Sequence, residues 1–130
     1  MNLWEIDIYP AAGQPDLLGR NVGADAAELG ICQDLEAQSV CGFLVQGDLN
    51  EAQANQLANE LFADGVVQRT VVAPVGDQRL NQPPSAGSRL VHVLPKPGVM
   101  DPVAQSAIEA ISDFGFQADA VRTLRKYWLP

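Results

Sequence analysis

Alternating apolar and polar positions at the start of the chain predict a β-strand. Trp4, Ile6 and Ile8 fall on one face of this strand, and Glu5 and Asp7 fall on the other. A period of two is typical of a strand with one buried face and one solvated face. We therefore expect the two acids to lie on the solvated face.

Apolar positions with helical spacing, each preceded by a capping residue, predict three helices. Asp16 is the N-cap of the first helix, and Asn50 with Gln53 forms a capping box for the second. Asp101 followed by Pro102 opens the third helix. Glycines are expected to end all three.

Further strands are predicted around residues 33–48, 66–72, 90–94 and 119–129, where β-branched and aromatic residues are enriched. Helices that cover one face of an antiparallel sheet define an α+β sandwich. The order of strands and helices predicts a ferredoxin-like arrangement.

Three glycines inside these elements need an explanation. Gly19 and Gly23 weaken the first helix by about 1 kcal/mol each relative to alanine. We interpret them as allowing close approach of the helix to its sheet. Gly42, within the second strand, indicates a bulge or bend.

The pattern occurs twice along the chain, at a spacing of 85 residues. Gly13 and Asp16 match Gly98 and Asp101 without a gap. The other matched positions are Pro10 with Pro95, Gly30 with Gly115, Asp34 with Asp119, and Phe43-Leu44 with Trp128-Leu129. Such self-similarity indicates a repeated structural unit.

The repeat divides the chain into a complete unit at 1–74, a linker at 75–87 rich in glycine and proline, and a partial second unit at 88–130. The helix of the partial unit carries Ile111 and Phe114 on its apolar stripe. We expect it to dock on the sheet of the first unit or to exchange between two chains, with homo-oligomers as one outcome.

The composition is that of a globular protein, with 47% apolar and 18% charged residues. The net charge of −8 comes from residues 1–74, which carry eleven acids and two bases, against five acids and six bases in 75–130. No dense cluster of Lys and Arg is present, which argues against nucleic acid as a partner. The acidic start does not resemble a signal peptide, and no apolar run is long enough to span a membrane, so we expect a cytoplasmic protein without a membrane partner.

Residues that could perform chemistry are few. His92 is the single histidine and lies within a strand, where a surface or structural role is the usual one. Cys32 and Cys41 have no basic neighbour in sequence to lower their pKa and are interpreted as inert thiols. The sequence predicts no catalytic, cofactor-binding or metal-binding residues.

Three strings of the second unit, at their spacing, resemble the PurS family. These are Lys96 to Pro102, then Phe114-Gly115-Phe116, then the strand from Val121 to Tyr127. The family pattern has a glycine where this chain has Leu124 and a lysine at Arg125. The first unit retains Gly13 and Asp16 of the motif but has Ala11 and Leu17 where the motif has its lysine and its second proline.

PurS is the accessory subunit of phosphoribosylformylglycinamidine synthase in purine biosynthesis. The resemblance implies a module like the N-terminal region of the large single-chain synthetases, bridging synthetase and glutaminase parts that are its partners. It implies no catalytic role for these residues, and ATP and Mg are expected in the rest of the enzyme, a glutamine amidotransferase ligase. The candidate interaction residues are Lys96, Gly98, Asp101, Arg122, Arg125, Lys126 and Tyr127.

The main alternative is an ACT-like regulatory domain that senses a small molecule. It is motivated by the glycine-bearing turns at Gly13 and Gly98 and by the shared order of strands and helices.

Overall fold

The computed structural model describes residues 2–130. Five strands and three α-helices form one mixed α/β domain. The strands are β1 (Asn2–Pro10), β2 (Gln38–Gly47), β3 (Gln68–Pro74), β4 (Arg89–Val93) and β5 (Ala120–Leu129). The helices are α1 (Leu17–Glu28), α2 (Glu51–Leu57), which continues as a π-helical turn (Ala58–Phe62), and α3 (Pro102–Phe114).

All five strands belong to one antiparallel sheet with the order β3-β1-β2-β5-β4. β2 and β5 pair over nine positions in the middle of the sheet, from Gln38 opposite Trp128 to Gln46 opposite Ala120. The partial second unit therefore docks on the sheet of the first. This was one of the two expectations from the sequence, the other being exchange between two chains. Both units contribute to a single sheet.

The predicted helix starts are confirmed. Asn50 and Gln53 form the reciprocal capping box of α2. Asp101 caps α3 with Pro102 in the first turn, and Gly115 ends that helix with a φ of 106°. A left-handed residue of this kind is most easily supplied by glycine.

Gly19 and Gly23 permit a close approach, but not to the sheet. A Cβ atom on Gly19 would collide with the carbonyl oxygen of Ala37, and one on Gly23 would lie 2.5 Å from the carbonyl oxygen of Leu35. The segment between α1 and β2 thus runs back along α1, and backbone packs against backbone there. The helix does contact β2, but the two glycines themselves meet the segment that leads into that strand.

Gly42 forms no bulge, since it keeps the regular register opposite Asp7 on one side and Leu124 on the other. A Cβ atom at Gly42 would lie 3.0 Å from the side chain of Leu124 and 3.3 Å from a carboxylate oxygen of Asp7. Glycine at this position leaves room for side chains that cross β2.

The main core lies between the sheet and the helices α2 and α3. Residues directly opposite each other on paired strands lie on the same face of the sheet. The helices pack on the face that carries Ile6, which we call the helix face. The buried members of this core are Trp4, Ile6, Ile8, Val45, Leu49, Ala54, Leu57, Ala58, Val72, Ala104, Ala107, Ile111 and Val121.

The opposite face of the sheet is covered in part by the connection between β3 and β4. This connection, the strap (75–88), contains a short 3₁₀ helix at Gln78–Asn81 and buries Leu80. Tyr9, Val40 and Trp128 form a small second cluster on the same face. We call this face the strap face.

Candidate interaction surface

An approximate twofold axis relates β1-α1-β2 to β4-α3-β5. It passes between β2 and β5 where Cys41 pairs with Arg125, and the four strands β1-β2-β5-β4 are arranged symmetrically about it, with β3 added on one side. The turns before α1 and α3 agree closely, with φ angles of 81° at Gly13 and 82° at Gly98. The sequence repeat therefore corresponds to a repeat in structure.

Each half contains the same carboxylate clamp, which joins the start of its helix to a strand. Asp16 caps α1 and accepts hydrogen bonds from the backbone N–H and the hydroxyl of Ser39. Asp101 caps α3 and accepts the corresponding bonds from Thr123, both at 2.9 Å. The aspartate of the motif is thus fully engaged within the fold.

The clamps also correct the alignment of the repeat. Ser39 and Thr123 are 84 residues apart, whereas the two aspartates are 85 apart. The connection from helix to strand is one residue shorter in the second half, so Phe43 corresponds to Tyr127 rather than to Trp128. The ungapped match of the β2 and β5 residues was wrong by one position.

Asp101 is ionised more readily than a free aspartate. Burial alone would raise its pKa, but the hydrogen bonds from the backbone of Thr123 and Ala104 outweigh that effect and lower the pKa below its ordinary value. The charged form therefore stabilises both the helix start and the strand.

The first half has a closed core. Ile6 and Ile8 on β1 are 0% and 5% exposed. β3 pairs with the outer edge of β1, and Phe62 of the π-helical turn stacks on Phe43 with the ring centroids 4.4 Å apart. The end of α3, with Phe114 and Phe116, packs against the same cluster.

The second half exposes the equivalent residues. Val91 and Val93 on β4 match Ile6 and Ile8, yet they are 41% and 49% exposed. Leu29 and Ile31, after α1, match Phe114 and Phe116 and are also exposed. We call Leu29, Ile31, Val91 and Val93 the open half-core.

Within residues 2–130, no strand pairs with the outer edge of β4, which ends the sheet. Segment 88–100 around this edge contains the bases Arg89 and Lys96 and no acid. Apolar Leu94, Val99, Met100 and Val103 are exposed next to it. The second half thus presents a free strand edge, an apolar surface and positive charge together.

Three ionisable groups are buried on the strap face. Lys126 is fully buried, and its Nζ donates hydrogen bonds to Glu5 at 2.9 Å and Asp7 at 2.6 Å. Its third bond, at 2.7 Å, goes to the carbonyl of Leu80 in the strap. Lys126 lies opposite Val40 on β2, and its side chain reaches past β2 to the two acids of β1.

This cluster overturns two expectations from the sequence. Glu5 and Asp7 do not lie on a solvated face, because the strap covers them. Lys126 was a candidate interaction residue, which requires an accessible side chain, but it is buried, unlike its neighbours Arg122 and Arg125. Only the strand order brings residue 126 near residues 5 and 7. The alternation of residues along β1 therefore could not reveal that this cluster is buried.

The buried charges shift the pKa values of their groups. Burial, together with nearby Glu5, raises the pKa of Asp7 to about 7. Burial lowers the pKa of Lys126, but its hydrogen bonds to Asp7 and Glu5 outweigh that effect, and the pKa is raised overall. One carboxylate oxygen of Asp7 is buried and accepts no hydrogen bond from the residues that the structure describes. The cluster therefore holds Asp7 close to protonation.

The candidate interaction residues occupy different environments. Lys96 and Gly98 lie in the exposed turn before α3, and Asp101 is engaged in the clamp. Arg122 and Arg125 are exposed, whereas Tyr127 is half-buried on the helix face opposite Val91. Lys126, on the other face, is inaccessible.

The remaining reactive groups are dispersed. Cys32 and Cys41 are free and exposed. Partial burial of the Cys41 thiol raises its pKa above the ordinary value. Within residues 2–130, no three His, Cys, Asp or Glu side chains are grouped to hold a metal ion. No helix in that range has the length and apolarity needed to cross a membrane.

Comparison of the chain with protein families, with curated proteins and with solved structures found no match.

Proposed function

We propose that this chain is a non-catalytic interaction module that holds neighbouring protein parts together. The observation that carries this proposal is that equivalent apolar residues are buried in the first half and exposed in the second. The first half closes its core with α2 and β3, while the second exposes Val91 and Val93 at the positions of buried Ile6 and Ile8. Exposed apolar surface of this kind marks sites of protein interaction.

We further propose that the module corresponds to the PurS-like region of phosphoribosylformylglycinamidine synthase, in the cytoplasm. The repeated turn and clamp support this, because the motif residues Gly98 and Asp101 have structural roles that Gly13 and Asp16 duplicate. A ferredoxin-like, PurS-type fold, with one complete unit and the first half of a second, is part of the same proposal. In this scheme the chain bridges the synthetase and glutaminase parts.

The reaction implied is the ATP-dependent amidation of formylglycinamide ribonucleotide with ammonia from glutamine. The other parts of the enzyme perform it and bind ATP and Mg. The test is to mix the purified chain with purified synthetase and glutaminase and to measure complex formation by size-exclusion chromatography with light scattering. We expect a complex of all three and no glutamine hydrolysis by the chain alone. Hydrolysis by the isolated chain, or no complex with either protein, would contradict the proposal.

A groove on the surface favours the ACT-like sensor as a second candidate. It has a volume of about 500 Å³ and is bordered by Val93, Val103 and Arg125, within the size range of small-molecule sites. Calorimetry with amino acids and nucleotides separates the two functions. Specific micromolar binding that is lost in Arg125→Ala would favour the sensor, and no binding would favour the interaction module.

A further inference from the structure

We propose that the open half-core and the free edge of β4 bind a helix–strand segment of a partner, with its strand antiparallel to β4 and its helix over Val91 and Val93. This inference rests on the proposed interaction function and specifies its surface. The first half of the molecule shows what covers the equivalent surface there.

The pairing of β1 shows why a partner strand is expected beside β4. β1 pairs on its inner side with β2 and on its outer side with β3. β4 is its equivalent, and it pairs on its inner side with β5, but none of the strands that the structure describes lies on its outer side. Because an unpaired edge presents backbone donors and acceptors in a row, it can add a strand by backbone hydrogen bonding.

The helix component follows from the apolar side chains. In the first half, α2 and the π-helical turn place Leu57 and Ala58 in the cluster that buries Ile6 and Ile8. A strand alone would leave the helix face of β4 uncovered. The partner segment therefore needs an apolar helical face that precedes or follows its strand.

The charge requirement follows from Arg89, which occupies the position of Trp4. In the first half, Trp4 lies opposite Pro74 of β3. The residue opposite Arg89 is therefore expected to be acidic, and an acidic segment also suits Lys96. This makes a second copy of the chain a poor occupant, because pairing two β4 strands would bring basic segments together and supply no helix.

The probe is a synthetic peptide of residues 48–75, the chain's own helix–strand segment, carrying Pro74→Asp to oppose Arg89. It is titrated into the full chain and followed by calorimetry and by hydrogen exchange of the β4 amides. We expect one peptide per chain and protection of Val91 and Val93 amides. The same segment fused after Pro130 through a Gly/Ser linker raises its effective concentration and reveals weak binding.

The matched variants are Val91→Lys with Val93→Lys in the chain and Leu57→Asp in the peptide. Both should abolish binding, while Val91→Thr with Val93→Thr retains strand-forming side chains and checks that the chain is folded. Absence of β4 protection with both the peptide and the fusion would overturn the inference. Protection of β1 alone would indicate exchange with the first half, and dimers of the free chain paired through β4 would identify a second copy; either result contradicts it.

The complex with synthetase and glutaminase distinguishes this inference from the proposed function. If Val91→Lys with Val93→Lys still forms that complex, the module has another interaction surface and only the docking inference fails. If the wild-type chain forms no complex, the proposed function itself fails.

Discussion

The two halves of the molecule share the same local elements, but only the first half encloses its apolar residues in a core. Both have a glycine turn, an aspartate clamp and a strand at the twofold axis. The first half continues into α2 and β3, and its Ile6 is fully buried; in the second half the equivalent Val91 is 41% exposed. The residues that specify turns and helix starts are therefore repeated in both halves. The burial of the strand residues depends on neighbouring elements, and it is not repeated.

The buried cluster on the strap face gives the largest expected effect. It joins Glu5 and Asp7 of the first half to Lys126 of the second, whose equivalent in the first half is Gly42. Removing Lys126 would leave two buried carboxylates without a cation, and breaking such a pair typically costs about 3–5 kcal/mol. We expect Lys126→Ala to lower the free energy of unfolding by that amount in urea titration.

The neighbouring Arg125→Ala is the matched control, since Arg125 is exposed. Its change should stay within about 0.5 kcal/mol. Replacing all three buried groups, as Lys126→Met with Glu5→Gln and Asp7→Asn, should recover much of the loss. A loss below about 1 kcal/mol for Lys126→Ala would show that the ion cluster does not stabilise the junction of the halves.

The pair Ile6 and Val91 tests the inequality of the cores directly. Ile6→Ala removes fully buried methyl groups and should lower the free energy of unfolding by about 2–5 kcal/mol. Val91→Ala changes a partly exposed strand position and should lower it by less than about 1 kcal/mol. Equal losses at the two positions, measured in the isolated chain, would mean that the second half is already covered in solution.

Gly19 and Ala104 occupy equivalent positions near the starts of α1 and α3. At an ordinary helix position, replacing glycine by alanine stabilises by up to about 1 kcal/mol. Gly19→Ala should instead destabilise by about 1–3 kcal/mol, because its Cβ would meet the Ala37 carbonyl. Ala104→Gly should also destabilise, by about 1 kcal/mol, and urea titration of both variants gives the comparison. A stabilised Gly19→Ala would show that the return segment does not pack on α1.

Local signals in the sequence predicted local structure well. The capping residues Asn50 and Asp101 and the stop at Gly115 are each recognisable within a few residues, and the structure confirms them. The docking of the second unit was one of two expectations, because the apolar stripe with Ile111 needed a sheet to cover it. These features depend on neighbours along the chain or on burial alone.

Features that depend on strand order could not be predicted. The burial of Glu5 and Lys126 arises from residues 121 positions apart that meet across β2. The open half-core becomes visible only when Val91 is compared with Ile6 in space. The candidate interaction residues came from a motif, and the structure shows that one of them, Asp101, is engaged in holding the fold.

The remaining expected effect is a dependence of stability on pH that arises from Asp7 in the first half. Asp7 has a pKa of about 7 in the folded chain, above the ordinary 3.8 of the unfolded chain, whereas its equivalent in the second half is the exposed His92. The folded chain therefore binds a proton that the unfolded chain releases, so the free energy of unfolding should rise as the pH falls from about 8 to about 5. The slope can reach at most about 1.4 kcal/mol per pH unit for one group. Asp7→Asn should flatten this rise in urea titrations across this range. The same slope in Asp7→Asn would assign the proton to another group.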